Sequence, residues 1–149
     1  MSDIPVEDRL AIEELVSEYA FRCDTRQYER CVDLFLEDAV FDETVLGLPL
    51  CGGRPMIREA FVEGSQNMGT AFGFHLFGNH RVTAFHGDTA RGTCHLLFEA
   101  RARAGETRVL GYFEDDYKKV DGKWYFSRRK LLEIAPTATF ESSAARHHA

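Results

Sequence analysis

From His75 to Ile134 the chain alternates strand-length segments with turn signals, and no other feature narrows the possible folds as far. His75–Phe85 and Thr89–Arg101 flank the turn His86-Gly-Asp-Thr89. The loop Ala104-Gly-Glu106 leads into Thr107–Lys119, and Asp121-Gly122, a strong hairpin signal, leads into Lys123–Ile134. Such a meander predicts a long, curved, mostly antiparallel sheet with one face to bury. The first half of the chain supplies the cover. Ile12, Leu15, Val16, Tyr19, Ala20 and Cys23 form one stripe of a helix running from near Pro5 to Cys23. A short helix over about Gln27–Leu36, a strand over Ala39–Val45 and a third helix from Pro55 to about Asn67 follow. Helices first and strands second predict an α+β fold: three helices on the concave side of the sheet, forming a cone with a hydrophobic pocket.

The length of 149 residues fits one domain, 1–149, with a core over about 5–135 and a small polar tail at 136–149. Twelve phenylalanines suit both a filled core and an aromatic-lined pocket. The net charge of −6, with both signs mixed along the chain, argues against nucleic acid or an anionic membrane as partner. Cys23, Cys31, Cys51 and Cys94 have neither disulfide-framework nor zinc-site spacing. They read as reduced, mostly buried thiols of a cytoplasmic protein. No metal or cofactor is expected. No signal peptide is expected, because Asp3, Glu7 and Asp8 stand where an apolar segment would be. No apolar run approaches the ~18 residues of a membrane span.

Asp24 falls at the end of the first helix, where the partial negative charge disfavours a carboxylate by up to ~1 kcal/mol. A partner must hold it, and His75, in the apolar run Phe72-Gly-Phe-His75-Leu-Phe-Gly-Asn79, is the candidate. On the last strand Ser127, Arg129 and Leu131 alternate with Phe126, Arg128 and Lys130, so one of the two arginines faces inward. An inward arginine needs an anion, either Asp24 or a substrate group. Gly111 reads as a bend in the sheet or as room for a ligand. Glu43 reads as a second pocket carboxylate or, the favoured reading, as a surface charge at a strand end, and His80, His86 and His95 read as structural.

Several motifs together resemble one family. They are Tyr19-x3-Cys23-Asp24-x3-Tyr28, Leu34-Phe-x2-Asp38-Ala-Val-x-Asp42, Gly52-Gly53 before a short helix, His75-x2-Gly78-Asn79, Gly87-Asp88-x-Ala90, and Tyr117-x3-Asp121-Gly122-x-Trp124-x-Phe126. In this order, from about residue 8 to 134, they resemble the SnoaL-like branch of the nuclear transport factor 2-like (NTF2-like, cystatin-like) superfamily. That branch includes scytalone dehydratase, hexachlorocyclohexane dehydrochlorinase and bile-acid 7α-dehydratase. The resemblance implies an Asp24–His75 catalytic dyad, with Tyr19 and Arg129 as further catalytic residues. It implies a pocket for a hydrophobic cyclic molecule, lined by Tyr28, Phe41, Phe61, Phe77, Gly111 and Phe113. The second pocket histidine and the two pocket tyrosines of scytalone dehydratase read here as Ala100, Cys23 and Glu43, so that enzyme's remaining equipment is not reproduced.

The expectation is a cofactor-independent lyase of dehydratase or dehydrohalogenase type, in which Asp24 orients His75 to remove a proton. An isomerase or polyketide-cyclase-like proton transfer is the first alternative. A non-catalytic binding protein or a scaffold like a dioxygenase small subunit is the second. The resemblance also implies a homodimer or homotrimer, because relatives bury the convex face of such a sheet, and apolar residues on both faces of Thr89–Arg101 (Cys94, Leu96 and Phe98 against Leu97) are consistent with it.

Overall fold

The computed structural model describes residues 3–140. The first helix, α1 (Val6–Asp24), buries Asp8, Ile12, Leu15, Val16 and Tyr19 at the three- and four-residue spacing of one helix face. Glu7 and Asp8 lie in its first turn and Arg22 in its last, each complementing the helix dipole. A tight connection, with Arg26 at φ 61°, leads to α2 (Tyr28–Val32). This helix is shorter than the sequence suggests. Phe35, expected within it, instead opens a strand, β1 (Phe35–Asp42), which therefore starts and ends earlier than expected. Pairing of β1 with the last long strand supplies the hydrogen bonds that a longer helix would have used.

A 3-10 turn (Thr44–Leu46) and a two-residue strand, β2 (Cys51–Gly52), follow. The third helical stretch runs through α3 (Arg54–Arg58), a π-helical turn (Glu59–Glu63) and α4 (Gly64–Met68). The π turn sits where Phe61 leaves the helix to join the core rings.

The meander forms as expected: β3 (Phe72–Phe85), β4 (Thr89–Ala102), β5 (Gly105–Val120) and β6 (Lys123–Glu133). Asp121 and Gly122 both take positive φ, the turn that matches the twist of a two-residue hairpin. The sheet order is β2-β1-β6-β5-β4-β3, with β1 and β6 parallel and the other pairs antiparallel. Pro136 does not start a free tail. A short strand, β7 (Ala138–Phe140), pairs with Glu106–Arg108 of β5, continuing the line that β6 leaves at Glu133. The Glu133 carboxylate accepts from the Thr137 amide and hydroxyl at 2.6 and 2.7 Å, fixing the bend. The expected Ser142-Ser-Ala-Ala tail lies outside the described residues.

The core fills the space between α1 and the inner face of β4, β5 and β6. Asp8 accepts hydrogen bonds from Lys119 Nζ at 2.8 Å and Trp124 Nε1 at 2.9 Å, tying the start of α1 to the β5–β6 hairpin. Phe72, Phe74, Leu76 and Leu110 are exposed apolar residues of β3 and β5. Among the described residues no helix is long and apolar enough to cross a membrane.

Candidate active site

The Asp24 carboxylate, at the last residue of α1, meets β3 head on. Its Oδ2 accepts the backbone N–H of His75 at 2.9 Å, and its Oδ1 lies 2.6 Å from His75 Nδ1. These contacts, rather than a helix cap, satisfy the acid at the disfavoured helix end. A carboxylate only accepts, so Nδ1 carries the proton and Nε2 is left with a free lone pair. The side chains of His75 and Asp24 are 15% and 20% exposed, enough for exchange with solvent but within the protein wall. Rings fix the imidazole: Phe98 lies 4.5 Å away, Tyr19 meets it edge-on at 5.7 Å, and Phe77 stacks at 5.9 Å.

The second centre is Arg129, the inward arginine of β6, whose side chain is fully buried. Its anion is neither Asp24 nor a ligand but Asp115 of β5. Nε donates to Oδ1 at 2.8 Å and Nη2 to Oδ2 at 3.1 Å, a bidentate pair. Burial works against the Arg129 charge, but the Asp115 carboxylate outweighs it and holds the guanidinium protonated. Tyr117 also donates to Asp115, at 3.0 Å, and His80 Nε2 lies 3.2 Å from the Tyr117 hydroxyl. Burial pushes His80 down, so it stays neutral. The guanidinium carbon lies 4.1 Å from the ring centre of Phe113, 4.3 Å from Phe126, 4.4 Å from Tyr19 and 5.1 Å from Phe77. This cation–π cage leaves one donor over: Nη1 is buried with no hydrogen-bond partner among the described residues.

Strict alternation along β6 would set Phe126 and Arg129 on opposite faces, yet both point inward. The β5–β6 register shifts by one between Asp116 and Tyr117, and this bulge sets Asp115 opposite Arg129.

Tyr19 bridges the two centres, its ring touching both His75 and Arg129. Burial drives its hydroxyl well above the ordinary tyrosine range, so it stays protonated. Phe41, Phe61, Phe77 and Phe113, expected to line a pocket, pack in the ring cluster around it. Tyr28 does not: it opens α2, partly buried, with no ring contact to this cluster among the described residues. Gly111 faces inward but offers no room for a ligand. A Cβ there would lie 2.4 Å from the Leu132 carbonyl oxygen, so the glycine serves close strand packing. The interior beside the dyad is occupied by rings, and a surface concavity of about 450 Å³ lies elsewhere, lined by Ala84, His86, Ala90, Arg91, Asp116 and Tyr117 among others.

The sequence leaves the Glu43 carboxyl between a pocket and the surface, and the structure places the residue just past β1, partly buried. Desolvation pushes that carboxyl up to about 7, against the pull of Arg129. The available signal was parity: Glu43 continues the inward series Ala39, Phe41. Asp115 was equally legible as one of the inward positions of β5. No cluster suited to a metal ion occurs among the described residues.

Comparison with known proteins places the fold. An uncharacterized protein of Mycobacterium tuberculosis is 28% identical over 134 residues, covering 87% of each chain. A solved structure from Novosphingobium aromaticivorans, provisionally described as an aromatic ring hydroxylase, superposes with a TM-score of 0.86 at 28% identity, over 93% of this chain and 96% of the other. A second from that organism, provisionally described as a scytalone dehydratase, gives 0.81 at 21% identity over 95% and 93%. The type-3 hexachlorocyclohexane dehydrochlorinase of Novosphingobium barchaimii gives 0.79 at 18% identity over 91% of each chain. The last two, at such low identity, establish the NTF2-like fold alone. The SnoaL-like domain model matches residues 5–130, and the chain belongs to that family.

Proposed function

We propose that the protein is a cofactor-independent lyase that removes a proton from a hydrophobic cyclic small molecule. The observation that carries this is the 2.6 Å contact between Asp24 and His75 Nδ1, which leaves Nε2 as a base held among rings. Asp24 fixes the ring and its tautomer, and the imidazolium formed after proton removal remains paired with the carboxylate. A base positioned in this way contributes ~10²–10⁴-fold. Electron density that builds up on the substrate has two donors to meet, the Tyr19 hydroxyl and the free Nη1 of Arg129. One such preorganised donor contributes ~10²–10³-fold. The family membership and the dehydratase and dehydrochlorinase neighbours support a small-molecule lyase or isomerase scaffold.

Product mass tests the reaction class. Cyclic ketones bearing a hydroxyl or halogen β to the carbonyl are incubated with the protein and analysed by mass spectrometry. Loss of water or hydrogen halide, abolished in His75→Ala, is expected. An unchanged mass with a moved double bond would replace elimination by isomerisation.

A second reading rests on the ring packing beside the dyad. An interior this full also suits a scaffold or binding role. Equal, weak binding of the same ketones by the wild type and by Phe61→Ala, with no turnover, would favour it.

A further inference from the structure

We propose that Cys23 and Cys31 are a site of reversible oxidation, forming a disulfide under peroxide that staples the corner presenting Asp24. This chemistry is separate from the elimination proposed above and needs no substrate. Cys23 lies in the last turn of α1 and Cys31 in α2, eight positions on. Their Sγ atoms are 3.0 Å apart. Non-bonded carbon atoms rest ~3.5–4.0 Å apart and sulfur is larger, so the two thiols sit closer than packing alone would set them. A disulfide bond is ~2.05 Å long, so closing it draws the sulfurs together by only ~1 Å.

The backbone already holds the two helices in this relation. Arg22, next to Cys23, donates from Nη1 to the carbonyl of Arg30, next to Cys31, at 2.7 Å. The Gln27 amide donates to the Arg22 carbonyl at 2.7 Å, and the Cys31 amide to the Gln27 carbonyl at 2.8 Å. Cys31 Sγ lies 3.7 Å from the Tyr19 carbonyl oxygen, so its side chain points back at α1. The other two thiols contact different groups: Cys51 the Pro49 carbonyl and Cys94 the Arg129 guanidinium, each at 3.7 Å.

Burial divides the roles. Cys23 is partly exposed, whereas Cys31 is 0% exposed. A peroxide therefore meets Cys23 first. The Cys23 sulfur attacks one peroxide oxygen, the O–O bond breaks, and a sulfenic acid forms as water leaves. The Cys31 sulfur then attacks the Cys23 sulfur. The S–S bond forms, the S–O bond breaks, and the hydroxyl leaves as a second water with the Cys31 proton. The two thiols lose two electrons and the peroxide gains them; a small dithiol reverses the bond by exchange. The hydrogen bond with Cys31, and then burial, push the Cys23 thiol well above its ordinary range, so the pair stays reduced until an oxidant arrives. The closed ring runs from Cys23 through Asp24 and Arg26, the residue at φ 61°, to Cys31. It thus fixes the turn whose acid holds His75.

Tryptic digestion and mass spectrometry test this on the full chain. Arg22, Arg26 and Arg30 set the two cysteines on separate tryptic peptides, 23–26 and 31–58. Cys51 shares the second peptide, because Pro55 blocks cleavage after Arg54, so Cys51→Ser is the protein used. After hydrogen peroxide at pH 8, the digest is expected to contain the two peptides joined, at the loss of two hydrogens, and dithiothreitol is expected to separate them. The linked protein should unfold at a higher urea concentration than its reduced form, because the crosslink restricts the unfolded chain. Cys23→Ser in the same background, treated identically, should give neither the link nor the shift. Sulfinic acid at Cys23 in place of the link, or a link from either cysteine to Cys94, overturns the disulfide. An unshifted urea midpoint in the linked protein overturns the staple.

Discussion

The Asp24–His75 pair and the Asp115–Arg129 pair sit on two sides of the same tyrosine ring and solve opposite problems. Asp115 and Arg129 are both 0% exposed, and the arginine is locked by a bidentate contact and by aromatic faces. Its charge cannot change. Asp24 and His75 retain some exposure, and one imidazole nitrogen is uncommitted. Their proton can move. On the proposed function, a fixed positive charge and an imidazole with one uncommitted nitrogen share one tyrosine ring, and burial separates the two roles.

If that division holds, the two pairs respond differently to mutation. The largest effect is expected for Arg129→Met, which strands a buried carboxylate. Urea unfolding should report a loss of about 3–5 kcal/mol, and Asp115→Asn added to it should restore much of that loss. Asp24→Asn and His75→Ala should act on rate instead. Turnover should fall ~10²–10⁴-fold while stability stays within about 1.5 kcal/mol, the worth of a partly exposed hydrogen bond.

A second contrast, outside the site, sharpens the first. Asp8, held by Lys119 and Trp124 away from the dyad, ties α1 to the sheet, so Asp8→Asn should cost about 1.5–3 kcal/mol and leave any turnover by the folded protein unchanged. Gly111→Ala should cost about 1–3 kcal/mol, since its methyl meets the Leu132 carbonyl.

The pH dependence of stability gives a further contrast, in which the acids take opposite signs. Hydrogen bonds from Lys119 and Trp124 hold Asp8 below its ordinary value of 3.8, so its contribution is present above that value and lost as the pH falls. Glu43 is raised from 4.5 to about 7, so its contribution is present below 4.5 and lost as the pH rises through 7. Denaturant titrations from pH 4 to 8 should show that loss in the wild type and a flatter profile in Glu43→Gln.

The long strands and α1 were legible because each is long enough for its period to emerge. The resemblance then joined Asp24 to His75, which stand 51 positions apart. The central pair was less legible for a specific reason. Counting back from the Asp121-Gly122 turn sets Asp115 opposite Arg128, and only the bulge at Asp116/Tyr117 moves it to Arg129. A bulge leaves little trace in residue type. Glu43 stayed open to two readings because its strand ends one residue earlier, where alternation ceases to guarantee direction. Gly111 was open to two readings because a glycine indicates close approach without saying what approaches.

The central claim is that Asp24 holds His75 with Nδ1 protonated and Nε2 free to act as the base. Nitrogen-15 NMR of histidine-labelled protein measures this directly, with the His75 signals identified by their loss in His75→Ala. At a pH where the ring is neutral, the account predicts a protonated Nδ1, an unprotonated Nε2, and loss of that preference in Asp24→Asn. A proton resident on Nε2 in the wild type, or a tautomer unmoved by Asp24→Asn, would contradict it.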